Sequence, residues 1–387
     1  MRLKSIIIFL LISLACTKSQ EVEVLHTSSS NSERLPLVEN KKIKNVILLI
    51  ADGTGIAQIS SGQLNLVGPD GYLNLQRMPV TGIVKTQSSN SLITDSAAGA
   101  TAYSCGLKTD NGMIAFLPDG SFCKTLLELA EEKGMSTGLV ATSTITHATP
   151  ASFAAHVRSR GSQAEIAEQY IESGTEVFLG GGREFFIPQD QEGSSRKDDR
   201  NLIEEFENVG YDYVSTVEEM QNSDSDKLLG LFANSGMDSE NRTPTLEEMT
   251  NTALSKLQSN ENGFFLMVEG SQIDWGGHGN DSEYVIREMK DFDNAVKAAL
   301  EYAEKDGETL VVLTADHETG GMTMMTSSDD AQKLRVEWVT HYHTGVPVAL
   351  MAYGPHAIEF SGWNDNTDIG IKIAELMNFG EFPLILE

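Results

Sequence analysis

Val46-Ile47-Leu48-Leu49-Ile50-Ala51-Asp52-Gly53-Thr54-Gly55 is the stretch that decides the fold of this chain. Its unbroken, partly β-branched apolar run has no polar alternation, the pattern of a strand covered on both faces, as in a parallel sheet. The glycines that follow mark a loop, so Asp52 sits at the strand's carboxyl end. In open α/β sheets that edge is where ligands bind.

The same pattern recurs along the chain. A helix is predicted over 123–133, with Gly134 as its stop, then a strand over 137–142 running into Ile145-Thr146-His147-Ala148-Thr149-Pro150. A helix over 246–258 precedes a strand over 264–268, which opens into Glu269-Gly270-Ser271-Gln272-Ile273-Asp274-Trp275-Gly276-Gly277-His278. A long helix over 284–304 leads to a strand over 309–315 and then Asp316-His317-Glu318; the last strand is predicted over 346–353. The alternation predicts an α/β fold: a single catalytic domain with a central, mostly parallel sheet flanked by helices on both faces. The region 163–243 is more polar; Val177 to Gly182 suits a further strand and 189–200 an exposed loop.

With 387 residues, the chain carries 28 Lys+Arg against 56 Asp+Glu, a formal net charge of -28. That balance excludes a basic surface for nucleic acid or anionic lipid and is read as a source of solubility. At the N-terminus, Arg2 and Lys4 precede the apolar run Ile6-Ile7-Ile8-Phe9-Leu10-Leu11-Ile12, which is short for a membrane span and suits a secretory signal. Ser13-Leu14-Ala15-Cys16 resembles a bacterial lipoprotein cleavage site, with Cys16 as the lipid-bearing residue; ordinary cleavage that removes Cys16 is the alternative. The expected layout is a signal segment over 1–16, a flexible tether over 17–41 and the catalytic domain over 42–387. An exported protein follows, periplasmic or held on the envelope by its lipid, otherwise secreted. Cys105 and Cys123 then remain, as one disulfide or as two buried thiols.

Thr94-Asp95-Ser96-Ala97-Ala98-Gly99-Ala100-Thr101-Ala102 reads as the start of a helix capped by a short polar residue, with small residues that pack closely. Ser96 would lie where backbone N–H groups and the positive helix end can receive an anion. An ordinary cap on a tightly packed helix is the alternative. Asp52, Glu269, Asp274 and Asp316 lie at or beyond strand ends, with His278 and His317 beside them, and so many like charges at one edge call for cations. Carboxylate with imidazole suits zinc, whereas carboxylate with hydroxyl and water suits magnesium. Asp274 and His278, four residues apart, share one face if the segment is helical.

Taken in order, Asp52-Gly53, the 94–102 stretch, His147-Ala148-Thr149-Pro150, Glu269-Gly270-x-x-Ile273-Asp274-x-x-x-His278, Asp316-His317-Glu318-Thr319-Gly320-Gly321 and His343-Thr344-Gly345 resemble the alkaline phosphatase family. The resemblance spans 46–354. It implies hydrolysis of phosphate monoesters through a phosphoserine on Ser96, with two zinc ions (Zn2+) and one magnesium ion (Mg2+). Asp274, His278 and His343 would hold one zinc, and Asp52, Asp316 and His317 the other. Asp52 would also reach the magnesium, with Thr149 and Glu269. Arg160 would clamp the phosphate, with Asp95 orienting it. Three divalent ions against four carboxylates, with Arg160 added, leave the pocket positive by about three charges, enough to draw a phosphate dianion into an acidic protein.

From the residues alone, Arg158 competes with Arg160, and His341 with His343; Thr344-Gly345 favours His343. Two departures stand out from the best-known bacterial pattern. His147 takes the place of an aspartate two residues before the threonine, and Trp275 that of a lysine after the zinc aspartate. Imidazole is a poor magnesium ligand, so His147 bears on the third metal; Trp275 removes a positive charge near the phosphate. The resemblance also implies a homodimer, although the segment 322–340 is short for the family. The competing functions are a phosphodiesterase, sulfatase or phosphomutase of the same superfamily, and an envelope lipoprotein that binds metal or phosphate without catalysis.

Overall fold

The strand Asn45–Ala51 (β1) is buried along its whole length, and its side chains divide between two cores. Val46, Leu48 and Ile50 enter one core, and Ile47 and Leu49 the other, because successive strand residues point to opposite faces. The protein is described here from a computed structural model, over residues 20–25, 33–327 and 333–386. The signal segment 1–16 and Cys16 lie outside the described residues.

Around β1 the chain builds a ten-stranded sheet. Its other strands are Val80–Lys85 (β2), Ser136–Thr144 (β3), Val177–Gly181 (β4), Asp212–Val214 (β5), Leu228–Leu231 (β6), Phe264–Gly270 (β7), Thr309–Thr314 (β8), Val348–Tyr353 (β9) and Gly362–Asp365 (β10). Their spatial order is β10-β2-β9-β8-β1-β7-β3-β4-β6-β5. Only β9 runs against its neighbours; β8, β1 and β7 lie side by side in parallel at the centre. The helices Ser96–Cys105, Ala148–Ala154 and Asn366–Leu376 cover one face, and Ile56–Leu66, Leu246–Leu257 and Ser282–Asp306 the other. The doubly covered, mostly parallel sheet is therefore as the sequence predicts.

Several local expectations are corrected. The helix expected over 123–133 begins at Leu126, because Thr125 and Glu128 form a capping box there. Cys123 instead belongs to the short strand Phe122–Cys123, which pairs with Ile385–Leu386, and it forms a disulfide with Cys105. The strand expected last is followed by β10, which pairs with β2. β2 itself escapes the sequence reading, since its side chains alternate between buried and exposed and it carries no continuous apolar run.

Within the stretch read as a tether, Gln20–Glu23 pairs with Lys333–Glu337, which in turn pairs with Thr323–Thr326; Val22 is buried there. The loop over 189–200 is not wholly exposed either. Arg196 is buried, its guanidinium bonded by Asp198 and Glu168, which leaves no uncompensated charge inside. Among the described residues no helix is long and apolar enough to cross a membrane.

Candidate active site and metal centre

Three adjacent strands deliver the inner half of the site. Asp52 follows β1, Glu269 lies near the end of β7, and Asp316 and His317 follow β8; all four are fully buried. The turn after β1 needs Gly53, whose φ of +73° is left-handed and whose missing side chain admits Asp274: an added Cβ would lie 2.5 Å from the Asp274 Cα. Metal-ligating atoms of Asp52, Asp316 and His317 lie within 4.8 Å of one another, as do those of Asp52, His147 and Glu269. His317 Nε2 stands 3.2 Å from Asp316 Oδ2 and 3.6 Å from Asp52 Oδ1.

The outer half arrives by other routes. Asp274 and His278 lie on the helix Gln272–Gly279, one turn apart, with His278 Nε2 3.4 Å from Asp274 Oδ2. His343 sits on the two-residue strand His343–Thr344, paired with Glu318–Thr319. Its Nε2 is 3.2 Å from His278 Nε2 and 3.6 Å from Asp274 Oδ1. The far nitrogens of both rings are held by backbone carbonyls, His278 Nδ1 by His341 O at 2.6 Å and His343 Nδ1 by Thr94 O at 2.8 Å. Such bonds fix the Nδ1–H tautomer and leave Nε2 as a bare donor facing the cavity. His341 turns away, its Nδ1 2.9 Å from the His278 carbonyl oxygen, so the structure brings in His343 and leaves His341 outside.

Ser96 opens the helix Ser96–Cys105, capped by Asp95, whose Oδ1 accepts from the Ala98 N–H at 3.1 Å. Ser96 Oγ lies 3.3 Å from His317 Nε2 and 3.4 Å from Asp52 Oδ2. Gly99 lets this helix approach the sheet edge: a Cβ there would come within 3.1 Å of the Asp316 Cβ. Asp95 Oδ2 accepts from Arg160 Nη1 at 3.1 Å, and Arg160 Nη2 lies 3.2 Å from His147 Nε2. Arg158 stacks on Phe116 instead. Trp275 meets the His147 ring edge-on at 6.4 Å. Ser96, Asp95, Arg160, His147 and Trp275, with Asp274, His278 and His343, line a cavity of about 470 Å³.

The buried charges are out of balance. Burial, reinforced by the charges of Asp316, Asp274 and Glu269, holds the Asp52 carboxyl well above the usual carboxylate range. Burial pushes Glu269 up to about 7, opposed in part by the hydroxyls of Ser271 and Thr149. Burial drives His317 down to about 4, and burial with the Arg160 charge drives His147 down to about 3; both imidazoles are neutral near neutral pH. At Asp274 burial acts upward but is outweighed by the His278 hydrogen bond and the nearby histidines, so its carboxyl lies below the usual range.

Each inner carboxylate has one oxygen tied and one bare. Asp316 Oδ1 accepts from the Gly53 and His317 N–H groups at 3.2 and 3.0 Å, while Glu269 Oε2 accepts from Ser271 Oγ at 2.6 Å. Asp52 Oδ1, Asp316 Oδ2, Glu269 Oε1 and Thr149 Oγ1 are buried without a hydrogen-bond partner among the described residues. Buried polar atoms are normally satisfied, and orphaned oxygens facing neutral imidazoles are the donor set of a divalent cation. The residues present fit divalent cations.

Sequence reading missed Thr319, whose hydroxyl bonds both Asp274 Oδ1 and, at 3.2 Å, His317 Nδ1. Its neighbourhood to His317 was a signal. Nothing local marked Tyr342 or Asn111, which reach the cavity wall through folding alone.

The alkaline phosphatase family profile matches residues 43–333. Alkaline phosphatase 3 of Bacillus subtilis is 38% identical over 428 aligned positions, covering 87% of this chain and 90% of the relative. The solved alkaline phosphatase of the Antarctic bacterium TAB5 superposes with a TM-score of 0.82 at 38% identity, over 89% of this chain and 100% of that one. A histidine-to-aspartate variant of the TAB5 enzyme, with magnesium bound in its M3 site, superposes at 0.80 and 37% identity over the same shares. A cation-ready cavity at the carboxyl edge of the sheet, in a chain matched over nearly its whole length, leads to one conclusion: this protein belongs to the alkaline phosphatase family and is a metal-dependent hydrolase of phosphate monoesters.

Proposed function

We propose that the reaction passes through a phosphoserine on Ser96, with two zinc ions and one magnesium ion held among the clustered carboxylates and imidazoles. The reading is carried by the bare oxygens of Asp52 and Asp316, 3.6 and 3.2 Å from His317 Nε2, which itself stands 3.3 Å from Ser96 Oγ. Asp274, His278 and His343 would hold one zinc; Asp52, Asp316 and His317 the second; Asp52, Thr149 and Glu269 the magnesium. Bound there, the cations would neutralise the carboxylates, favour the Ser96 alkoxide and offset charge on the transferring phosphoryl group.

The chain's own groups supply the rest. Ser96 Oγ gives up its proton to solvent and attacks phosphorus in line, its O–P bond forms, and the bond to the leaving alcohol breaks, the departing oxygen taking a proton from solvent. Water then cleaves the Ser96 phosphoester, releasing phosphate and restoring the hydroxyl. Arg160, oriented by Asp95, presents its guanidinium to the phosphoryl oxygens, a planar fork suited to them. Backbone N–H groups at the helix start add fixed positive dipoles.

His147 stands in the third cluster, where imidazole disfavours magnesium. That the TAB5 variant with aspartate in place of a histidine has magnesium in its M3 site supports a weak magnesium site here. The signal-like N-terminus, with Cys16 as a lipid site, and the Cys105–Cys123 disulfide support an exported protein held at the envelope. Exposed Ile56, Val339 and Val346 support a homodimer.

The test is turnover of a chromogenic phosphomonoester from about pH 7 to 10, where a metal-bound hydroxyl ionises, beside a phosphodiester and a sulfate ester. Monoester turnover lost on chelation and restored by zinc is expected. Preference for the diester or the sulfate would move the protein to a sister activity.

A further inference from the structure

Between the inner and outer halves of the site lies a carboxylate with no role so far. Glu318, next to His317, is 4% exposed. Its Oε1 accepts from Gln58 Nε2 at 2.7 Å and from the Met322 N–H at 3.2 Å. Its Oε2 accepts from the Gly321 N–H at 3.2 Å and from the Thr344 hydroxyl. All four partners are uncharged, so a full negative charge is kept from water by hydrogen bonds alone, an arrangement that is costly unless every bond is made. A glutamine could not replace it, because its NH2 group would face N–H donors.

The partners come from three segments that meet only in the fold. Thr344 follows His343, and the pairs Glu318–Thr344 and Thr319–His343 form the whole ladder that carries this histidine. Gln58 begins the helix after the Asp52 loop; it also donates to the Thr319 carbonyl at 2.9 Å and accepts from the Gly55 N–H at 3.2 Å. Gly55 makes room for the carboxylate, since a Cβ there would lie 2.4 Å from the Glu318 Cγ.

We infer that Glu318 is a positioning residue of the metal centre: through Thr344 it holds His343 against Asp274 and His278, and through Gln58 it ties that hold to the Asp52 loop. His317 continues a buried central strand and needs no such support. His343 follows Tyr342, which is 76% exposed; beyond the ladder its ring is held by the bond to Thr94 O, by its contacts with His278 and Asp274 and by stacking on His317. Loss of the clasp therefore loosens the Asp274, His278 and His343 set first, while the Asp52, Asp316 and His317 set loses only the stacking of the His343 ring on His317. The inference rests on the proposed reading of these sets as two zinc sites.

The experiment is a zinc titration of the chelated full chain against a competing chromogenic chelator, with circular dichroism on the same samples. The wild-type protein is expected to take up at least two zinc ions. Glu318→Gln is expected to keep one at unchanged affinity and to bind another about 10–100-fold more weakly, the usual effect of losing a partner behind a ligand. Thr344→Val, which removes one donor and little volume, shifts the same zinc in the same direction by less, and decides the matter if Glu318→Gln does not fold. Excess zinc restores turnover in both. Unchanged titrations, or equal weakening of both ions as general loosening produces, would overturn the inference while leaving the zinc reading intact. A wild-type protein that takes up no zinc would overturn both.

Discussion

The two halves of the metal centre are built to different standards of rigidity. Asp52, Glu269, Asp316 and His317 stand at the ends of adjacent parallel strands, fully buried, so the sheet's ladder sets their spacing. Asp274 and His278 come from a short helix, and His343 from a two-residue strand, with Val339 and Tyr342 nearby 80% and 76% exposed. Local opening costs least where few buried contacts hold the backbone. The inner half is thus fixed by the fold, while the outer half depends on individual hydrogen bonds.

The largest expected effect lies at the junction of the halves. Ser96→Ala should lower kcat by roughly 10³-fold or more, as loss of a nucleophile does, with metal content unchanged. A variant retaining most of its turnover in the phosphomonoester assay would remove Ser96 from the chemistry. Next, Asp52→Ala should cost more metal than His343→Ala, because Asp52 belongs to two of the ligand clusters. Metal analysis of the two purified variants checks this; equal losses would erase the distinction between the halves.

The pH dependence sharpens the contrast. Glu269 is raised from 4.5 to about 7 in the folded, metal-free protein, so its contribution to stability is full below about pH 4.5 and is lost as pH rises through 7. Metal binding displaces that proton, and thermal stabilisation by added metal should grow over this window; Asp52, also raised, acts in the same sense. His317 and His147, lowered to about 4 and about 3, contribute little to the slope there, whereas His278, raised by its hydrogen bond to Asp274, adds to it in the same sense. Metal-induced melting shifts that stay flat from pH 5 to 8 would contradict the raised Glu269.

Smaller effects belong to the two departures from the common bacterial pattern. His147→Asp should strengthen magnesium binding in the third cluster, on the order of 10-fold, as a hard oxygen replaces an imidazole, with zinc content unaltered; isothermal titration with magnesium measures it. Trp275→Lys should tighten inhibition by inorganic phosphate a few-fold, about what one partly screened charge supplies. An unchanged inhibition constant would mean that Trp275 is indifferent to product.

On its own, the sequence determined the sheet and the inner ligands. An apolar run such as 46–50, short, partly β-branched and closed by glycines, reads as a doubly covered strand, and Asp52, Glu269 and Asp316-His317 follow such runs directly, so their placement is a local consequence of where each strand ends. It also supplied the Ser96 helix start, through its cap and small residues. The strands β2 and β10 and the pairing of Gln20–Glu23 were decided only by tertiary structure, which also brings Arg160 to Asp95 and His343 to Asp274. In each case the deciding partner is remote in sequence: Asp95 for Arg160, Thr94 and Asp274 for His343, and residues 333–337 for the N-terminal strand. Glu318 shows the same division, for the residue is visible beside His317, but its meaning lies in Gln58 and Thr344. Periodicity and capping act over a few residues, whereas a hydrogen bond across 260 positions exists only once the whole sheet has closed around it.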